Sequence, residues 1–540
     1  MANGLGLEDV YGATLGRIQA QGGERSRLGM MALIWICHSE RPLKADELCH
    51  ALAVEIGSAD FDLDNVPSIR TVLSCCQGLV VVDKKGSTIR LVHFTLREYL
   101  SGRPDLFQKS HSLIAETCLT YLNSQQVMSL PATLPPGTQA APFLRYSALY
   151  WGTHGKKELS DNAKSLALKL FRQYDNHISI RLLLESRYRR SYLFSDLSPF
   201  TGLHCASFFG LVEVVRSLIK IEGFDINQED PRGITPLGWA ARNGHEEVVW
   251  LLLGRGDINP DKPDHGNRTP LAYAAMNGHS GVAQLLLGRG DVNPDKPDND
   301  NRTPLLYAAM NGHDRVVQLL LGREDIYPDN PDIINRTPLS YAAMNGHKGV
   351  AQVLLGRGDV NPNKPDRTGR TPLGYAAGDG HEGVVRLLLR REDINPNKPD
   401  VVNRTPLSYA AINGHKRVAQ MLLERGDINP DKPDNIARTP LGYAAGGGHD
   451  GVVQLLLARQ DVDPNRPDND NRTPLAHAAR SGHDKVVQLL LAWGDVNPDM
   501  RDNLGLTPLE YADNNKHKGV VKLILDWKST RPPLPRPSES

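Results

Sequence analysis

The sequence predicts a mainly α-helical chain whose larger part is a solenoid of stacked helix pairs. Three observations carry that expectation. Thr-Pro-Leu recurs with its Thr at 235, 269, 303, 337, 371, 405, 439, 473 and 507, every interval being 34 residues. Each copy opens an apolar run with helical rather than alternating spacing, Leu271, Ala274 and Ala275 in the second copy. Proline and glycine then punctuate the period at fixed places, Pro270 before the run and Gly278 after it. Self-similarity of this kind marks an array in which each unit buries one face against the next. At 540 residues the chain is too long for one ordinary core, which agrees with an array.

Within a unit, Thr269 is placed to cap a short helix and Pro270 to occupy its first turn, where a missing N–H is harmless. Gly278 supplies the left-handed residue that ends it. "SGVAQLLL" (280–287) is a returning second helix, and "GDVNPDKPDNDNR" (290–302) a connecting finger. Pro294 and Pro297 fix φ and remove donors, so the finger reads as stiff and as a poor edge for strand addition. One period upstream of Thr235, Thr201 opens the degenerate copy "TGLHCASFFGLVEVVRSLI". Ten units therefore cover residues 201–527.

The unit Thr-Pro-Leu-x-Tyr-Ala-Ala-x-x-Gly-His resembles the ankyrin repeat. It departs from the family in two places. The usual His after Thr-Pro-Leu is Ala272, Leu306, Ser340 or Gly374 here and survives only as His204, so its bond to the Thr is expected to be lost in most units. The finger also lacks one residue before Asp291 and carries two extra after Asn293.

Several motifs dissolve in this frame. Arg-Gly-Asp at Arg255, Arg289, Arg357 and Arg425 gives way to Arg323-Glu324-Asp325 and Arg459-Gln460-Asp461 in other units, as a turn rather than an adhesion signal would. The repeated His and Tyr read as helix-end and packing positions. Successive histidines would lie roughly 10 Å apart, beyond shared coordination of a metal at about 2 Å. Asn-Arg-Thr at Asn267, Asn301, Asn335, Asn403 and Asn471 is a sugar-acceptor pattern, but the start "MANGLGLEDV" has no basic leader, so no glycosylation is expected.

Comparison of the units isolates one pair that changes each time: His265-Gly266, Asn299-Asp300, Ile333-Ile334, Arg367-Thr368, Val401-Val402, Asn435-Ile436 and Asn469-Asp470. Drift in water favours polar residues, and a wet Ile or Val forfeits roughly 1.5–3 kcal/mol of burial. Apolar residues also end the first helices at Met276, Met310, Met344 and Ile412. The ankyrin resemblance implies a concave protein-binding face made of fingertips and first helices. It marks His265, Met276, Met310, Ile333, Ile334, Met344, Arg367, Val401, Val402, Ile412, Asn435 and Ile436 as its candidate contacts.

Ahead of the array, helices are expected in "RSRLGMMALIWICHSE", in "KADELCHALAVE" and after Pro67 in "SIRTVLSCC". "LVVVDKKGSTIRLVHF" then alternates as two strands, and "TLREYL" starts another helix. Three helices and a hairpin form a winged-helix pattern. "SERPLKADEL", "CQGLVVVD" and "LVHFTLREYL" resemble the winged helix that follows the NTPase core in NACHT-type signalling proteins of the STAND class. "SLIAETCLTYL" and "APFLRYSALYWGTHGKK" resemble the helical connector of the same proteins. The expected organisation is a winged-helix-like domain over 1–105, a connector over 106–200, the array over 201–527 and a Pro-rich disordered tail over 528–540. Phe208, Phe209 and Leu211 replace polar residues at the first unit, so upstream helices must cover it.

No catalytic, cofactor or metal residues are expected. Gly155-Lys156 lacks the glycines of a phosphate cradle, and His38, His50, His111 and His154 show no ligand spacing. Charge is balanced at 62 basic against 62 acidic residues, and the reading helix of the winged helix offers only Arg70, with Lys84 and Lys85 on the wing. A nucleic-acid-binding regulator is therefore the alternative, not the main reading. The longest apolar run, "LGMMALIWIC", is too short to span a bilayer. Six cysteines without CxxC spacing fit a cytoplasmic chain, the nucleus being compatible too. The expectation is a non-enzymatic scaffold or sensor arm of a STAND-like system, with a protein on the concave face and a NACHT-containing relative as a further partner.

Overall fold

The computed structural model describes residues 7–83, 87–103, 106–131, 141–172, 174, 177–187, 200–221 and 225–530. Among them are thirty α-helices and a single two-stranded sheet. The chain divides into two compact units, Met1–His265 and Gly266–Ser540.

The first unit opens with α1 (Leu7–Ala20), α2 (Gly23–His38), α3 (Ala45–Ala53) and α4 (Ile69–Cys75). Helix α1 is one more than expected. Its Tyr11, Leu15 and Ile18 lie on one buried face, while Gly12 and Gly16 weaken the helical signal of the segment. Strands β1 (Val80–Asp83) and β2 (Thr88–Leu91) pair antiparallel, Val80 opposite Leu91, and α5 (Phe94–Ser101) follows. Lys84 and Lys85, expected on the wing, lie with residue 86 outside the described residues. The start of α3 is held by Glu47, buried but accepting from Nη1 and Nη2 of Arg41 at 2.8 and 2.6 Å and from the Lys44 N–H at 2.8 Å. Such a pair survives burial because every charge is matched.

Five connector helices come next: α6 (Ser110–Leu122), α7 (Gln125–Met128), α8 (Leu144–Lys157), α9 (Asp161–Phe171) and α10 (Ile178–Arg187). Most of the Pro-rich break between α7 and α8, residues 132–140, is outside the described residues. Helix α6 packs on α8 and α9, and α8 on α10, around Cys118, Phe143, Tyr146, Trp151 and Leu170. Then come α11 (Gly202–Phe209), α12 (Val212–Leu218), α13 (Pro236–Arg242) and α14 (Glu246–Leu253). Helix α11 lies against α8 and α9 with all eight residues buried. Phe209 meets Trp151 at 5.6 Å between ring centroids, and Gly152 makes room, since a Cβ there would overlap the Phe209 ring. The apolar first repeat is thus covered from upstream. His204, neutral because burial lowers its pKa to about 4, bonds the Thr201 hydroxyl at 2.9 Å and the Ile234 carbonyl at 3.1 Å. All six cysteines are free, and burial raises the thiols of Cys37 and Cys49 to about 11, which makes them inert.

The second unit holds eight helix pairs, from α15 (Pro270–Asn277) and α16 (Ser280–Leu287) to α29 (Pro508–Asn514) and α30 (Lys518–Thr530). Helix α30 runs past the expected end at Trp527; the Pro-rich residues 531–540 lie outside the described residues. Every first helix is capped by its Thr, whose hydroxyl accepts the N–H three residues on at 3.1–3.3 Å. Each such cap stabilises its helix by about 1 kcal/mol. The predicted loss of the Thr–His bond holds where Ala, Leu or Gly follows Thr-Pro-Leu. Elsewhere another side chain restores it: Ser340 and Ser408 bond their Thr hydroxyls at 3.0 Å, and Glu510 accepts from Thr507 at 2.9 Å.

Neighbouring repeats are stitched by the recurrent His. Nε2 of His313, His347, His381, His415, His449, His483 and His517 bonds the carbonyl closing the previous first helix at 2.9–3.2 Å. Each ring lies on the left-handed glycine of that repeat, as His313 does on Gly278 (φ 76°), where a Cβ would overlap it. The Arg-x-Asp turn is structural too. Arg323 grips Asp325 with two nitrogens at 2.9 and 2.7 Å and gives its third to the Leu287 carbonyl at 3.2 Å.

The Asn of Asn-Arg-Thr is a hinge of the finger. Asn267, Asn301, Asn335, Asn403 and Asn471 have φ of 58–66°, and each donates Nδ2 to a carbonyl of the next finger at 2.6–3.0 Å. Gly369 and Gly505 take the same position at φ 80° and 75°. Ala437 takes it at φ 59° with neither the freedom of Gly nor the amide of Asn. Left-handed Ala costs about 1–2 kcal/mol. Replacing Ala437 by Gly is expected to raise the unfolding free energy by about 1 kcal/mol, and by Asn at least as much, read from denaturant midpoints.

A second series runs along the fingers at 295, 329, 363, 397, 431, 465 and 499, where Asp and Asn alternate irregularly. Asn363, Asn397 and Asn465 accept the N–H of the next finger and donate Nδ2 to one of its carbonyls at 2.5–2.6 Å. Asp295 and Asp329 accept the same N–H but bury Oδ1 without a hydrogen-bond partner. Desolvation raises Asp295 to about 6 from an ordinary 3.8. Its folded-state pKa is the higher one, so its contribution to stability is complete below 3.8 and lost as pH rises through about 6. Asp295→Asn should therefore raise the melting temperature at pH 7.5, with the gain shrinking as pH falls to 4.5.

Candidate protein-binding face

Each fingertip is built on one aspartate, buried in most repeats and half-buried at Asp400 and Asp468. Asp298, Asp332, Asp366, Asp400, Asp434, Asp468 and Asp502 accept the N–H groups two and four residues on at 2.8–3.1 Å through Oδ1. Oδ2 receives the hydroxyl of the first-helix Tyr nine residues away: Tyr341 to Asp332 at 2.7 Å, Tyr409 to Asp400 and Tyr443 to Asp434 at 2.5 Å, and likewise Tyr307, Tyr375 and Tyr511. His477 substitutes for Tyr on Asp468 at 2.8 Å. In the first unit Trp239 Nε1 does so on Asp230 at 3.0 Å. Burial and the facing carboxylate push the hydroxyls of Tyr307, Tyr375 and Tyr409 up to about 12. Burial alone would raise Asp366, but its hydrogen bonds from Thr368, Tyr375 and Arg370 outweigh that and hold it below the usual range.

With the turn fixed, the variable pair contributes backbone to the scaffold and side chains to the surface. The first member donates its N–H to the carbonyl of the second member one repeat earlier: Asn299 to Gly266, Ile333 to Asp300, Arg367 to Ile334, Val401 to Thr368, Asn435 to Val402 and Asn469 to Ile436, at 2.9–3.0 Å. Any side chain satisfies this geometry, so the pair is free to vary. Ile333, Val401, Val402 and Ile436 are 48, 64, 39 and 49 % exposed. Arg367 and Asn435 are exposed and Ile334 half-buried. Ile333 and Arg367 share an open cleft of about 500 Å³ with Asn299, Asn301 and Asn335.

The other candidates are placed less openly. Met276, Met310, Met344 and Ile412 are half-buried, and their carbonyls take the His Nε2 of the next repeat. His265 falls in the first unit, exposed, its N–H on the Arg232 carbonyl at 2.8 Å. Two exposed residues escaped the sequence reading: Tyr327, at a position otherwise Asn or Asp, and Leu504, second member of the last pair, both 70 % exposed.

Arginines stack beside this surface. Arg370 lies between Tyr375 and Tyr409, 4.3 and 4.0 Å from the ring centroids, over Gly378, where any Cβ would collide with it. Arg438 repeats the arrangement over Gly446, 4.5 Å from Tyr443. Arg336 and Arg404 instead bond the next repeat, at Tyr375 and Tyr443, both at 3.1 Å. Glycines thus replace the Met or Ile where an Arg needs room. In the first unit, Arg70 is exposed in α4 as the single cation of that helix.

Residues 18–109 match the GPI inositol-deacylase winged helix domain. No curated protein matches the chain. Among the described residues no helix is long and apolar enough to cross a membrane. Overlapping segments 173–264, 203–298, 257–332, 290–366, 339–434, 393–468 and 441–531 match ankyrin repeats (3 copies), the first beginning ahead of the expected residue 201. Together they span about two thirds of the sequence, and the chain belongs to the ankyrin-repeat family.

Proposed function

We propose that the chain is a non-enzymatic interaction scaffold that grips a protein partner on the fingertip and first-helix face of its second unit. The reading rests on one observation. The hydrogen-bonded frame of the fingertips is constant, while the side chains it displays differ between repeats and include exposed Ile333, Val401, Val402 and Ile436. A surface kept apolar at such positions loses burial energy in water and regains it only against another molecule. Arg367 and Tyr327 add the residue types that anchor interfaces.

The winged helix and connector would relay this binding in a signalling system of the STAND kind, in the cytoplasm, with a NACHT-containing protein as partner of the first unit. The match at residues 18–109 is to a winged helix domain, and no catalytic role is carried over from it. Co-purification of the full chain with a NACHT-containing protein tests the relay. The grip is tested separately by replacing Ile333, Val401, Val402 and Ile436 together with Ser. Partner affinity should fall at least about tenfold, equivalent to about 1.4 kcal/mol, at an unchanged melting temperature. Equal affinity of the variant would refute the assignment of this face.

A further inference from the structure

Glu40, His111 and His154 are far apart in sequence and carry no ligand spacing, yet the fold brings them together. Glu40 follows the last turn of α2, His111 lies in the first turn of α6 and His154 in the last turn of α8. One ligand atom from each lies within 4.8 Å of the others. Nδ1 of His111 faces Nδ1 of His154 at 2.8 Å, so a single proton is shared by two ring nitrogens that both point inward. On its other side the His154 ring is held by Tyr146, whose Oη is 2.9 Å from Nε2 and accepts the Glu40 N–H at 3.0 Å. A third imidazole, His38, stands 5.3 Å from His111 between ring centroids.

We propose that Glu40, His111 and His154 form a zinc site that staples the end of α2 to α6 and α8. Two imidazoles and a carboxylate are the donor set that suits this ion. Tetrahedral coordination at 2.0–2.1 Å sets neighbouring donors about 3.3 Å apart, so the widest spacing, at most 4.8 Å now, closes by up to about 1.5 Å while the two Nδ1 atoms part from 2.8 Å. Tyr146 holds the His154 ring by Nε2 and so keeps Nδ1 turned toward His111, and the proton between the two Nδ1 atoms is given up when a metal enters. The fourth position falls to His38 or to water. Without metal, Lys157 neutralises Glu40 at 2.6 Å, and its flexible stem lets it withdraw when a dication enters. Arg97 and Glu158 are the other charges near these rings. The consequence is mechanical: the end of α2 and the connector, joined at this point by hydrogen bonds, the Lys157–Glu40 ion pair and ring packing, would become rigidly coupled by metal.

The test uses the full chain after chelation. Zn2+ is titrated calorimetrically into the wild type and into His111→Gln and Glu40→Gln, variants at partly open positions chosen in place of the fully buried His154. The wild type should take up one equivalent at least tenfold more tightly than either variant, with a higher melting temperature on loading and visible four-coordinate absorption bands when Co2+ replaces Zn2+. The repeat histidines are the same in all three proteins and set the background. Uptake that is equal in wild type and variants, or absent from the wild type, would overturn the site.

Discussion

The fingertips of this protein depend on a buried carboxylate. In each repeat one aspartate accepts two backbone N–H groups of the turn and a hydroxyl or ring nitrogen from the first helix. A carboxylate so bonded is worth more than a neutral acceptor, about 1.5–3 kcal/mol per charge-assisted bond. It ties the finger to the helix pair without using the two residues at the tip. That separation of frame from display is what allows Ile-Ile, Arg-Thr and Val-Val to occupy one position in successive repeats. The His–carbonyl bonds and left-handed glycines then carry the same geometry from unit to unit.

The helix pairs were legible because their determinants are local: a Thr cap, Pro in the first turn, apolar spacing and a closing Gly all lie within about eleven residues. What escaped the sequence was non-local. The Asp–Tyr bond joins residues nine apart across a turn, and the Asp reads as one of many polar finger residues. The Asn of the sugar-acceptor pattern is explained only by its positive φ and its bond to the next repeat. Helix α1 was hidden by Gly12 and Gly16, and the cluster of Glu40, His111 and His154 by a separation that no spacing rule covers. Of the candidate face, the exposed fingertips were visible from variation between copies. That Met276, Met310, Met344 and Ile412 are only half-buried side chains over engaged carbonyls was not. Tyr327 could have been found by comparing its position across units.

The two ends of the array are treated differently. At the start, aromatic residues of the connector cover Phe209, so the winged helix, connector and first repeats fold as one hydrophobic body. In the last repeat Lys516, between α29 and α30, and Lys518 and Lys522, on α30, are exposed and give it a polar surface.

The Asp–Tyr bond fixes the fingertip on the first helix, while the helices hold without it. Amide hydrogen exchange on Tyr375→Phe tests it most directly, since the variant leaves Asp366 Oδ2 only its ion pair with Arg336 at 3.5 Å and keeps the helix pair intact. The account predicts exchange at least about tenfold faster at the Thr368, Arg370 and Val401 amides, as the loss of 1–3 kcal/mol of local protection requires. Protection in the flanking helices should not change. Unaltered exchange at those three amides, or an equal loss throughout the repeat, would contradict it.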